Sequence, residues 1–271
     1  MDDSQITNLH DAVMGYYLAH GRHDLPWRQP DSDGKFNPYK IMVSELMLQQ
    51  TQVGRVIPKY LAFIARFPTV EALAQASLGE VLTLWSGLGY NRRAKFLYQA
   101  AQMVVQEMDG VFPSTQAELT KLPGVGHNTA GAITAYVFNK PVVFIETNIR
   151  TVFIHHFFAD DTSVSDKAIE ELIRPSLAAQ PRDWYWALMD YGSFLKQSIG
   201  NKSRLSATYK KQSKFAGSKR QIRGQVIKQL TLAPARLDQL RALIDDDRLP
   251  AVITELLQEK LISFDGRIYS L

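Results

Sequence analysis

The sequence predicts an all-α protein that ends in a small winged-helix-like module. Three observations carry this. Apolar residues recur at helical spacing along most of the 271 residues. Almost no stretch before residue 260 alternates with period two. The chain closes with two short apolar strands around Asp265-Gly266, the dipeptide of a two-residue hairpin.

In order, the periodicity predicts helices over 8–19, 39–50, 53–67, 69–76, 78–85, 91–108 and 115–121. Pro68-Thr69 and Pro113-Ser114-Thr115 supply start signals. Residues 198–218 are polar, basic and weakly periodic, and read as a linker. Helices over 220–230, 236–244 and 250–260 then precede the terminal strands. The third of them carries more acid than base, so it is read as serving auxiliary or partner contacts rather than base reading.

The composition, 45% hydrophobic and 21% charged, is that of a globular protein. No apolar run approaches the roughly 20 residues that span a bilayer, and the polar, partly acidic MDDSQITNLH is not a secretory signal. A cytoplasmic protein without a membrane partner is expected. With no cysteine, the chain has no disulfide, thiolate nucleophile or cysteine-held zinc or iron–sulfur centre. The net charge of +4 says little by itself, but between Asp190 and Asp238 no acidic residue interrupts a run of lysines and arginines. Such one-signed clustering fits a polyanion.

The most specific motif is Leu122-Pro123-Gly124-Val125-Gly126-His127-Asn128, a glycine turn that opens a helix rich in small residues. Glycines let backbone approach a ligand closely, and the helix start offers free N–H groups to a phosphate. About twenty residues on, the apolar run Pro141–Ile145 delivers Glu146 to the start of another helix. In isolation Glu146 reads as a helix cap, Glu45 as an exposed helix residue, and Trp27 and Tyr90 as core aromatics.

The pairing of glycine hairpin and downstream acid resembles the helix-hairpin-helix DNA glycosylase superfamily, and most of all its adenine DNA glycosylase (MutY) branch. Leu25-Pro26-Trp27-Arg28, Ser44–Gln52, Arg66–Thr69 and Trp85–Tyr90 match that branch in order, over residues 8 to 195. The resemblance implies a two-lobed fold: 1–28 with 140–197 as one lobe, 29–139 as the six-helix lobe with the hairpin, then the basic linker 198–218 and the module 219–271. It implies monofunctional base excision, with Glu45 as the proton donor, its pKa raised by the apolar helix face around it. Glu146 would stabilise the sugar cation with Asn148 as polar partner, and Asn128 stands where relatives that also cut the backbone have a Schiff-base lysine. Gln50, Thr51 and Tyr90 would meet the duplex where the base leaves, Gly124, Val125, Gly126 and His127 the phosphates, and His23, Leu25, Trp27 and Arg28 the extruded base. His155-His156 is read as structural. The implied partner is mispaired or damaged double-stranded DNA, approached by a monomer at the nucleoid. A monovalent cation at the hairpin 122–127 is a further candidate ligand.

Three features depart from that branch. Glu146 stands where Asp is usual, and one extra methylene moves a carboxylate by about 1.5 Å, which catalytic geometry notices. The four cluster cysteines are absent, leaving direct Lys and Arg contacts to phosphate as the substitute around 198–215. The domain that recognises 8-oxoguanine is replaced by the short C-terminal module. The resemblance makes adenine opposite 8-oxoguanine or guanine the leading substrate, although the missing domain leaves recognition of 8-oxoguanine without support. Another mispaired or deaminated base (thymine, uracil, hypoxanthine) or a catalytically silent DNA-binding protein stay open.

Overall fold

The computed structural model describes residues 2–271, and they are mostly helical. The helices are α1 (Asp3–His20), α2 (Pro38–Leu48), α3 (Val53–Arg66), α4 (Val70–Ala74), α5 (Leu78–Trp85), α6 (Arg92–Glu107) and α7 (Gln116–Leu119). They continue with α8 (His127–Phe138), α9 (Thr147–Phe157), α10 (Asp166–Ser176), α11 (Pro181–Ser198), α12 (Lys219–Leu232), α13 (Leu237–Leu243) and α14 (Leu249–Gln258). Two strands follow, β1 (Ser263–Phe264) and β2 (Tyr269–Ser270).

Helix starts follow side-chain chemistry. Asp2 accepts the Gln5 N–H while the Gln5 side chain answers the Asp2 N–H, which starts α1 five residues earlier than its apolar periodicity does. Ser77 and Glu80 form the same reciprocal box on α5, and Thr69, Thr115 and Ser165 cap α4, α7 and α10.

The chain divides into two units. The first takes the chain up to Ile41 with Pro113–Lys121 and Val125–Lys211. Its centre is α11, which packs against α1, α8 and α9 and buries Trp184, Tyr185 and Leu188 completely. Gly192 on α11 is obligatory: a Cβ there would lie 2.3 Å from the Asn148 carbonyl oxygen. Backbone can come this close only where no side chain intervenes. Residues 198–218 are only partly irregular, since a 3₁₀ turn spans Lys202–Leu205 and Val164 bonds to both Leu205 and Ala207.

The second unit comprises Met42–Phe112, Leu122–Gly124 and Gln212–Leu271. Here α6 packs against α4 and α5, around Phe63, Phe67 and Trp85, all fully buried with edge-to-face ring contacts. Helix α12 packs against α5 and α14. The three C-terminal helices and the strand pair appear where the sequence puts them, with one correction. β1 and β2 pair Phe264 with Tyr269, leaving a four-residue loop rather than a two-residue turn. The Asp265 carboxylate accepts the N–H groups of Arg267 and Ile268, each at 2.8 Å. That local turn, with Gly266 at φ +96, absorbs the two extra residues.

Candidate active site

Glu146 sits at the end of the apolar run, which Phe144 and Ile145 anchor in the core and Tyr185 fixes through its hydroxyl to the Val142 carbonyl at 2.6 Å. It holds the N-cap position of α9 with extended backbone, but its side chain makes no capping bond. A capping carboxylate would have a lowered pKa. Here burial raises it, with the Arg150 charge one turn on working the other way. The acid is crowded by protein yet keeps some contact with solvent, a position from which a carboxylate can meet a ligand.

Asn128 is brought to the same place: its side-chain oxygen accepts the Ile145 N–H at 3.2 Å, next to Glu146. Gln116, which the sequence reading missed, donates to the carbonyls of His127 and Val143, at 3.1 and 3.4 Å, fastening the start of α8 to the same run. The Asn148 amide donates to the Met189 carbonyl at 3.1 Å, so it holds α9 against α11. In the hairpin, Gly124, Gly126, His127 and Asn128 are exposed while Val125 is buried. Gly124 has φ +78, and a Cβ there would meet Phe96 at 2.6 Å; a left-handed residue in contact must be glycine.

In the second unit, Glu45 is partly buried on α2 between fully buried Ser44 and Leu46. Beyond the helix end, Gln50 adopts φ 55, and Tyr90 in the loop after α5 adopts φ 49. Left-handed backbone in two non-glycine residues is strained. Both lie beside Arg93, also missed by the sequence reading. Its guanidinium is buried and donates to the carbonyls of Leu46 (2.6 Å), Met47 (3.1 Å), Gln49 (2.5 Å) and Gly89 (3.2 Å), and to the Thr51 hydroxyl (3.2 Å). One cation thus closes the C-terminal end of α2 and ties it to the Tyr90 loop. Desolvation lowers its pKa to about 10, with Tyr90 opposing the shift.

The predicted base-pocket residues are buried frame, except His23, which is exposed. Leu25 and Trp27 are buried, and the His23 ring bonds to the Tyr17 carbonyl at 3.0 Å. Arg28, 7% exposed, donates to both carboxylate oxygens of Asp190 at 2.8 and 2.9 Å and lies over the Trp186 ring. Burial works against the Asp190 charge, but the Arg28 bond and charge, with Arg22, outweigh it and hold the pKa low. His155 and His156 form an edge-on ring pair, 5.0 Å between centroids, and burial lowers both pKa values.

No group of three or more His, Cys, Asp or Glu is placed for a metal among the described residues. A cluster needs four thiolates; a chain without cysteine does not fit one. No helix among the described residues is long and apolar enough to cross a membrane.

Residues 43–176 match the HhH-GPD superfamily of base excision DNA repair proteins. Among solved structures, a thermostable thymine-DNA glycosylase superposes with a TM-score of 0.63 at 22% identity, covering 74% of this chain and 91% of that one. A non-covalent endonuclease III–DNA complex gives 0.55 at 18%, covering 73% and 87%. These likenesses are of fold. An adenine DNA glycosylase of Mycolicibacterium smegmatis is 33% identical over 275 residues, covering 93% of this chain and 92% of that protein. One from Buchnera aphidicola is 38% identical over 192 residues, covering 69% and 52%, and the human one is 37% identical over 203 residues, covering 71% and 36%. The chain spans about half the length of the first curated relatives it matches. It belongs to the HhH-GPD base excision repair superfamily and, within it, to the adenine DNA glycosylase family.

Proposed function

We propose that the protein is a monofunctional DNA glycosylase that releases mispaired adenine, flipped from duplex DNA, from opposite guanine or 8-oxoguanine. The observation that carries this reading is the uncapped, desolvated Glu146 beside the hairpin residue Asn128. A buried carboxylate without a structural bond costs stability, and a forming cation is what would repay it.

In this reading Glu45 gives its proton to the purine ring, and the C1′–N bond breaks with its electron pair leaving on the base. The sugar gains oxocarbenium character, which the carboxylate of Glu146 stabilises. Water adds to C1′ and its proton is lost to solvent, leaving an abasic site. Asn128 carries an amide, which forms no Schiff base, so the strand stays intact. Gln50, Thr51 and Tyr90 fill the gap in the stack, and the hairpin 124–127 holds phosphate. Leu25, Trp27 and Arg28 act as the buried frame of the base pocket beside the exposed His23, and Asn148 holds α9 against α11. The partner is duplex DNA and the working form a monomer, with the winged-helix-like module as an adjunct.

Glu45→Gln tests the chemistry. It is expected to lower adenine release at least 100-fold in single-turnover assays while duplex binding by anisotropy persists. Unchanged turnover would overturn the acid assignment.

A further inference from the structure

Within the first unit, Arg150 is the residue best placed to pair with the uncapped Glu146. Its N–H donates to the Glu146 carbonyl at 2.9 Å, and side chains four apart on a helix are neighbours. The guanidinium is committed elsewhere. It donates to both carboxylate oxygens of Asp166, at 2.9 and 3.0 Å, with the arginine side chain 15% and the aspartate 33% exposed. Asp166 opens α10 directly after its Ser165 cap, where a negative charge is favoured. The Thr208 hydroxyl donates to the same carboxylate at 3.2 Å. Thr208 is itself held, since Ser206 accepts its N–H at 3.2 Å and Val164 bonds to Leu205 and Ala207. This short run belongs to the basic stretch 198–218, outside the residues 43–176 that match the superfamily.

A carboxylate that steadies a forming cation must be ionised, and it must not already be engaged by another cation. Burial opposes the first condition, and a direct pair with Arg150 would violate the second. A cation held one turn away on a different carboxylate satisfies both. Its field works against the burial of Glu146, while its hydrogen bonds go to Asp166. Among the described residues, no other charge on the elements packed against α9 acts on Glu146. Asp190 of α11 is taken by Arg22 and Arg28. Burial pushes the Tyr185 and Tyr191 hydroxyls of α11 upward, away from neutral pH. Lys202 of the 3₁₀ turn acts on His155, near the other end of α9, and Asp166 of α10 is taken by Arg150.

Resting on the proposed glycosylase reading, we propose that Asp166 and Thr208 form a latch that holds Arg150 off Glu146 and leaves that carboxylate open to the sugar cation. Arg150 and Asp166 are positioning residues for the charge of Glu146, and the run 206–208 secures them. With the latch open, Arg150 reaches back one turn and closes an ion pair with Glu146, which removes the charge from the reaction.

Two readouts on the full chain test the latch. The Glu146 carboxyl carbon signal, identified by its loss in Glu146→Gln, is titrated by NMR. Adenine release from a duplex with adenine opposite guanine is followed in single turnover over the same pH range. Asp166→Asn frees Arg150, so the Glu146 titration is expected to move down by about one pH unit and the rate plateau to fall roughly tenfold. Arg150→Met removes the favourable field, so the titration and the acid limb of the rate profile move up while the plateau holds. Thr208→Val is expected to follow Asp166→Asn with smaller shifts. The decisive variant joins Arg150→Met to Asp166→Asn. With no arginine to release, it is expected to regain a plateau within about threefold of Arg150→Met alone, although the whole ion pair is gone. A double variant no faster than Asp166→Asn would make Asp166 a structural brace and overturn the inference. A Glu146 titration that Asp166→Asn leaves in place or moves up would overturn it too, with base excision untouched. The expected titration shifts in a parent that releases no adenine would support the latch and refute the glycosylase reading alone.

Discussion

The neighbourhoods of the two proposed acids are built on opposite plans. Around Glu146 the backbone is relaxed and the side chains are pinned: Asn128 to Ile145, Asn148 to Met189, and Arg28 with Arg22 to Asp190. Around Glu45 and the loop after α5, two residues are held in left-handed backbone, and a single buried arginine donates to six oxygens, none of them a carboxylate. The first arrangement fits groups whose charge must sit still through a reaction. The second fits residues that must be displaced into a stack of bases, because strain stored in a loop lowers the cost of moving it.

The largest way to break this contrast is Asp190→Asn. Arg28 would remain buried without its charge partner, and such losses run to about 3–5 kcal/mol. Chemical denaturation should report that fall, and a loss under 1 kcal/mol would mean the first neighbourhood is not pinned as described.

Next comes Glu146→Gln, with base release expected to fall roughly 100-fold, a transition-state effect near 3 kcal/mol. Stability should move the other way. Because burial raises its pKa in the folded state, the benefit of the protonated form is complete below the unfolded value of about 4.3 and is lost as pH rises through the folded value. The variant, which carries no charge, should therefore melt above the parent at pH 8, with the gap closing toward pH 4. A gap that grows toward acid would contradict the desolvated acid.

The smallest effect sharpens the other side. Gln50→Gly should relieve left-handed strain and raise stability by about 0.5–1 kcal/mol while slowing excision. Lower stability would show that Gln50 is not strained.

What could be read from the sequence was what is local. The glycine turn at 124–126, the helix start behind Glu146 and the capping pairs each depend on neighbours within a few residues, so their chemistry is written in consecutive letters. The helix positions came through for the same reason. The turn at Asp265 went astray because its capping carboxylate competes with the Asp-Gly rule over the same few residues. Gln116, Asp190 and Gln212 could not be found, because their partners stand between 11 and 168 residues away, nor could Arg93, most of whose partners, at Leu46, Met47, Gln49 and Thr51, lie on the distant end of α2. Nothing near Arg93 in the sequence distinguishes it from exposed Arg92, although one is buried under the Tyr90 loop and the other is not. Glu146 lies between these cases: its position was legible, but only the structure revealed that it caps nothing.

Release of mispaired adenine is tested most directly by one measurement. The protein is incubated with duplexes carrying single mispairs of adenine, thymine, uracil or hypoxanthine, and each sample is divided, one half treated with alkali. The expected result is strand scission only in duplexes with adenine opposite guanine or 8-oxoguanine, and only after alkali. Scission confined to other bases, scission without alkali, or none in any duplex would contradict it.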